Sequence, residues 1–144
     1  MIAVLQRVNE ASVVVAGETI AQIEQGILVL VGVQADDDLS LVQRQLQRLL
    51  NYRVFTDAAG KMNLSLIDVR GGLLLVPQFT LAAETRKGRR PSFTSAATAQ
   101  HAAGMFAAMA EYARASYPLV ECGRFGADML VHLVNDGPVT FILD

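Results

Sequence analysis

The sequence predicts an α+β domain built on a curved, mostly antiparallel sheet with two helices, and three observations lead there. Short runs rich in β-branched residues occupy both ends of the chain. The hydrophobic spacing changes to the helical period in only two places, far apart. No regular alternation of strand and helix joins them, as a parallel α/β fold would require. At 144 residues, with 52% apolar and 18% charged side chains, residues 1–144 read as one domain. That length buries a core without help from disulfides or metal.

The elements follow in order. Ile2 to Val8, Ala11 to Ala16 and Thr19 to Glu24 are strands, with Gly17-Glu18 separating the last two in a tight hairpin. Gly26 to Val33 is apolar on both faces, which marks a central strand covered on both sides. Asp36-Asp37-Asp38 supplies N-cap candidates and favourable charge for a helix start. Leu39, Val42, Leu46, Leu49 and Leu50 then recur at helical spacing as a core face. Asp57-Ala58-Ala59-Gly60 is a turn and Leu73 to Val76 a short buried strand. A second helix runs from about Thr98 to Ser116, with Phe106, Met109 and Ala113 on one face, until Pro118 stops it. Val120 to Phe125, Ala127 to Val134 and Val139 to Leu143 are strands, with Asn135-Asp136-Gly137-Pro138 as the turn between the last two.

Composition excludes several classes. The single Cys122 allows no internal disulfide and fits a reducing compartment. The start, MIAVLQRVNE, reaches Glu10 without a basic n-region or long apolar core. The Gly26–Val33 run is too short to cross a bilayer. The reading is a soluble cytoplasmic protein with no membrane partner. A net charge of −2 leaves RNA contact to a local patch, and Arg86-Lys87-Gly88-Arg89-Arg90 is the one dense cationic cluster.

The usual catalytic groups are sparse. His101 falls on the Ala-rich helix, where it is expected to face solvent, and His132 alternates within a strand as a structural residue. Two scattered histidines and one cysteine give no metal-ligand spacing, and no cofactor is expected. Cys122 reads as a small buried hydrophobe. Two segments remain. Val76-Pro77-Gln78-Phe79-Thr80-Leu81-Ala82-Ala83 leads into Glu84-Thr85-Arg86-Lys87-Gly88-Arg89-Arg90-Pro91-Ser92-Phe93. A proline, an amide and a hydroxyl there follow a hydrophobic strand and lead into a basic loop; the plain reading is a strand end, with Thr80 there for β-propensity, and a solvated basic turn. Val134 to Thr140 is either a hairpin turn or a Gly-Pro step that leaves two carbonyls free as acceptors. Because X-Pro bonds are cis in only about 5–6% of cases, sequence physics does not predict a cis bond there.

PQFTLAAETRKGRRPSF together with NDGPVT near the C-terminus resembles the D-aminoacyl-tRNA deacylase family, also called D-tyrosyl-tRNA deacylase. The resemblance begins at Met1 to Val8 and continues through Asp57 to Asn63 and Gly123 to Met129. It implies a homodimer of α+β fold with two packed sheets and helices against one side, a three-layer β-β-α arrangement. It implies that Gln78, Phe79 and Thr80 line the pocket for the charged 3′ end of tRNA. Gly137-Pro138 would be a Gly-cisPro step entering the partner subunit's active site, with Arg7 fixing its orientation. Phe125 and Met129 match positions near the terminal adenosine. One position departs: Pro77 stands where the family motif carries Ser. A related group of deacylases has proline there but a small residue in place of Phe79. Phe79, Arg7 and the Gly-Pro step are retained, which keeps the D-specific assignment.

The implied reaction is ester hydrolysis of D-aminoacyl-tRNA, and of glycyl-tRNA mischarged on tRNA-Ala, a proofreading step in translation quality control. No base stands beside Thr80, so the terminal 2′-OH of the tRNA is the better candidate to carry the chemistry. Amides around Phe79 and Thr80 would hold the oxyanion. Carbonyls of Gly137 and Pro138 would grip the ammonium so that an L side chain collides with them. The Lys87, Arg89 and Arg90 side chains would contact tRNA phosphates. Two rival classes remain open, an RNA-binding module without hydrolysis and a structural or chaperone-like dimer.

Overall fold

The computed structural model describes residues 1–94 and 96–144. Its strands are β1 (Ile2–Val15), β2 (Glu18–Ile23), β3 (Gly26–Gly32), β4 (Phe55–Thr56), β5 (Met62–Leu64), β6 (Gly72–Pro77), β7 (Val120–Cys122) and β8 (Leu130–Leu143); its helices are α1 (Leu39–Asn51), α2 (Leu66–Val69) and α3 (Ala99–Ser116). Six strands form one sheet in the order β2-β1-β3-β6-β7, with β8 also paired to β1. β4 and β5 make a separate small hairpin around the expected Asp57–Gly60 turn.

The sheet is mixed, with three of its five strand pairings antiparallel, as expected, and two parallel. β1 runs antiparallel to β2, β3 and β8, but β3, β6 and β7 are parallel. Parallel neighbours need long crossovers, which α1 and the β4-β5-α2 segment supply before β6 and α3 supplies before β7. The expectation of no strand–helix alternation therefore fails for this half of the sheet. The pairing of Gly26 with Gly72 joins positions far apart in sequence, so no local pattern announces it.

β3 and β6 are buried on both faces, as their unbroken apolar runs predict. Ile27, Val29, Val31, Leu73 and Leu75 pack with α1 and α3, while Leu28, Leu74 and Val76 pack with Val13, Ala21 and Ile23. β1 serves both cores: Ala3 and Leu5 join the helix side, and Val8, Ala11 and Val13 join the other. The change of side falls at register shifts between Gln6 and Glu10. An irregularity there bends the strand and resets its alternation. The sheet consequently curves into a nearly closed form around the second core.

α1 begins where expected. Asp38 is the N-cap, and its Oδ1 accepts from the Leu41 amide at 2.7 Å. Val42, Leu46, Leu49 and Leu50 are buried, whereas Leu39 in the first turn is exposed. Thr98 caps α3, which buries Phe106, Met109 and Ala113. The sequence reading missed α2, a single turn closed by a reciprocal cap between Ser65 and Asp68. The backbone amide of Ser65, then its hydroxyl, hold the Asp68 carboxyl below the usual range. Among the described residues no helix is long and apolar enough to cross a membrane.

The largest correction concerns the C-terminus. Asn135–Pro138 is expected as a turn between two strands, but β8 is one continuous strand lying along β1 from Leu130 opposite Val14 to Leu143 opposite Ala3. Both halves run in the same direction against the same partner, so the chain does not reverse. Asp136 to Val139 instead bulge out opposite Arg7, between the Asn135–Val8 and Thr140–Gln6 pairs. Turn-forming residues serve a bulge as well as a hairpin. β7 stops at Cys122 and β8 starts at Leu130, so both strands are shorter at that junction than expected.

Candidate active site

The site forms where β6 ends. After Pro77 the Gln78 amide donates to the Val31 carbonyl at 2.8 Å, and the chain then enters a single 3-10 turn, Phe79–Ala82. Thr80 thus belongs to this turn, and the simple strand-end reading falls. The turn rests on β3 because Gly32 lacks a side chain; a Cβ there would lie 2.7 Å from Leu81 Cβ. The first amides of a helical turn have no acceptor within it. Among the described residues nothing accepts the Phe79 or Thr80 amide.

Beside this turn lies a cavity of about 510 Å³. Its lining brings together Pro77, Gln78, Phe79, Phe125 and Met129, with Val76 and Val131 below and Ala97, Ala99 and Ala102 along the start of α3. Asp128 is the single titratable side chain among these, and the sequence reading did not single it out. It adjoins Met129, and that adjacency was the only available signal. The Gln78 Nε2 donates to Thr80 Oγ1 at 2.5 Å. An amide donor cannot take up a proton, so the Thr80 hydroxyl is held without a base.

Neither histidine supplies one. His101, expected to face solvent, is half-buried with its Nε2 2.9 Å from the Asp37 carbonyl oxygen, tying α3 to the start of α1. His132 is exposed on β8. Burial raises the Cys122 thiol pKa above its usual value, in keeping with an unreactive thiol.

The basic segment closes on itself. Backbone hydrogen bonds link Glu84 and Ser92 in both directions, at 2.9 and 3.1 Å, and the Glu84 carboxylate accepts from the Arg86 amide at 2.7 Å. Lys87, Arg89 and Arg90 are exposed at the loop tip, with no ion pair among the described residues. Phe79 and Phe93 lie against each other between cavity and loop, ring centroids 5.2 Å apart.

The Gly-Pro step sits elsewhere. Gly137 and Pro138 are exposed on the β8 bulge, joined by a cis peptide bond, and do not line the cavity of their own chain. Gly137 has φ +138°, a region that L side chains rarely adopt. Arg7 does hold this segment: its Nε donates to the Asp136 carbonyl at 3.0 Å and one terminal nitrogen to the Val54 carbonyl at 2.7 Å. The Asp136 carboxylate lies 3.3 Å from the same Nε. A second anchor escaped the sequence reading. The Asn135 side chain accepts from the Val139 amide at 2.7 Å and donates to Thr140 Oγ1 at 3.0 Å, closing the base of the bulge.

The family model described as D-Tyr-tRNA(Tyr) deacylase matches residues 4–144. The chain belongs to this family. A relative named D-aminoacyl-tRNA deacylase from Ectopseudomonas mendocina is 59% identical over 140 residues, covering 97% of each chain. Among solved structures, one named c-Myc DNA Unwinding Element Binding Protein superposes with a TM-score of 0.95 at 41% identity, over 100% of this chain and 98% of that one. Another, described as a "probable eukaryotic D-amino acid tRNA deacylase", matches with a TM-score of 0.86 at 16% identity, over 99% and 97%. At that identity the last likeness shows the fold alone. The curated relative is named as a deacylase; the cavity at the end of β6 gathers Pro77, Gln78, Phe79, Phe125 and Met129, but not Thr80, Gly137 or Pro138.

Proposed function

We propose that this chain hydrolyses the ester bond of D-aminoacyl-tRNA in the cytoplasm, releasing the D-amino acid and free tRNA. The observation that carries the reading is the cavity at the end of β6, where Gln78, Phe79, Phe125 and Met129 converge beside two backbone amides with no acceptor among the described residues. An aminoacyl ester is already activated by its ammonium and vicinal hydroxyl, so a strong base is not required. The Phe79 and Thr80 amides hold the oxyanion that develops on the ester carbonyl. A donor placed in this way is typically worth about 3–4 kcal/mol of barrier. The terminal 2′-OH, rather than Thr80, assists the attacking water, since the partner of Thr80 Oγ1 among the described residues is an amide donor and not a base.

Chirality is read by backbone. In a homodimer of three-layer β-β-α subunits, the exposed Gly137-Pro138 step of one protomer enters the cavity of its partner. Its two carbonyls grip the ammonium, a D side chain then points to solvent, and an L side chain collides. Glycine has nothing to collide, so glycyl-tRNA mischarged on tRNA-Ala is cleaved as well. Support for pairing comes from β8, which exposes Leu130, Val134 and Ile142 and has a free hydrogen-bonding edge among the described residues.

The name of one structural neighbour refers to DNA binding, and the cationic loop suits a nucleic-acid module without hydrolysis. The test is turnover of D-tyrosyl-tRNA by the purified chain. Release of D-tyrosine at catalytic enzyme concentration supports the deacylase. Tight tRNA or DNA binding without release replaces it with a binding module.

A further inference from the structure

Phe79 and Phe93 present a pair of large apolar rings to solvent, 60% and 38% exposed, tilted at 46° to one another. Singly exposed apolar side chains are ordinary on a protein surface. A contacting pair at the mouth of a cavity for a polar substrate is a different matter, and its position is specific. Phe79 lines the cavity, whereas Phe93 does not. Phe93 follows directly on Ser92, whose bridge to Glu84 closes the cationic loop. The rings therefore lie between the cavity and the base of the loop that carries Lys87, Arg89 and Arg90.

Single-stranded nucleic acid is held by aromatic faces that stack its bases and cations that track its phosphates. Resting on the deacylase reading, we propose that Phe93 is a stacking platform for a base in the unpaired stretch just upstream of the terminal aminoacyl-adenosine. The loop cations take the phosphates on either side. Phe79 faces the terminal nucleoside, Phe93 the nucleotide before it, and the nucleic acid continues to the loop. Such a site recognises any base, because every base has a stacking face. It therefore binds the end shared by all charged tRNAs without choosing among them.

The test compares two substrates, D-tyrosyl-tRNA and D-tyrosyl-adenosine, which lacks every upstream nucleotide. Phe93→Ala should raise KM for the tRNA by about 5- to 150-fold, the range found for loss of one stacked base, with kcat little changed. Its kcat/KM on D-tyrosyl-adenosine should match the wild type. Phe93→Trp should restore the tRNA KM, and Phe93→Leu, apolar but without an aromatic face, should not. A 2-aminopurine placed next to the terminal adenosine of uncharged tRNA gives an independent readout. Wild type and Phe93→Trp should quench its fluorescence by stacking, and Phe93→Ala should not. Equal losses on both substrates, full rescue by leucine, or quenching that survives in Phe93→Ala would each overturn the proposal. Failure of the wild type to cleave D-tyrosyl-tRNA strikes instead at the deacylase reading, and the fluorescence measurement still decides whether Phe93 stacks a base.

Discussion

Arg7 joins the N-terminal strand to the bulge that carries Gly137 and Pro138, and replacing it by methionine separates the two. Methionine keeps the length and apolar stem but removes donors to the Asp136 carbonyl at 3.0 Å and the Val54 carbonyl at 2.7 Å. Hydrogen bonds from a charged donor contribute about 1.5–3 kcal/mol each, so full loss of both would be about 3–6 kcal/mol. The Arg7 side chain is 11% exposed but that of Asp136 is 43%, so water recovers part of the lost bonding on the bulge side. The lower end, about 3 kcal/mol, is expected. For a chain of this size that lowers Tm by roughly 10 °C. Lysine reaches one carbonyl but cannot reproduce the fork, so Arg7→Lys should fall between. Below the transition, both variants should lose kcat/KM on D-tyrosyl-tRNA, because the bulge is no longer held in one orientation. Thermal unfolding followed by circular dichroism and a tRNA deacylation assay read the two effects separately. An Arg7→Met protein with unchanged Tm and full activity would refute the anchoring role.

Replacing Lys87, Arg89 and Arg90 together by alanine should weaken tRNA binding and flatten its salt dependence. At about 0.7 per phosphate on a single strand, the log–log slope should become shallower by about 2, and an unchanged slope removes this loop from the interface. Val134→Glu combined with Ile142→Glu puts charge on exposed apolar positions of β8; sedimentation should show a folded monomer, and the assay should show no turnover. A fully active monomer contradicts cross-subunit completion of the site. Thr80→Val should keep a sizeable part of the activity, whereas a substrate ending in 2′-deoxyadenosine should slow by several powers of ten, each about 1.4 kcal/mol of barrier. The reverse pattern makes Thr80 the nucleophile.

What the sequence disclosed depended on the range of the signal. The α1 and α3 helices were legible from spacing and caps, and β3 and β6 from apolar runs too uniform for a one-sided strand. Their parallel pairing was not legible, because it joins Gly26 to Gly72 across two helices and a hairpin. β8 was misread for a related reason. Asn135, Asp136, Gly137 and Pro138 are turn residues by local chemistry, and only the ladder to β1 shows that they form a bulge. In the site, Pro77, Gln78 and Phe79 were visible as a motif. Their convergence with Phe125 and Met129 became visible only once β6 and the β7–β8 connection were placed side by side. The roles of Asn135 and Asp128 were not legible, because nothing local separates a bulge staple or a cavity wall from an ordinary polar loop residue.

The most direct test is a paired measurement on the wild-type chain, with D-tyrosyl-tRNA and L-tyrosyl-tRNA at equal concentration and the enzyme far below substrate. The D-ester should undergo multiple turnovers, and the rate on the L-ester should be no higher than the uncatalysed one. Cleavage of both at similar rates would mean that the Gly137-Pro138 carbonyls do not read chirality, and cleavage of neither would contradict hydrolysis itself.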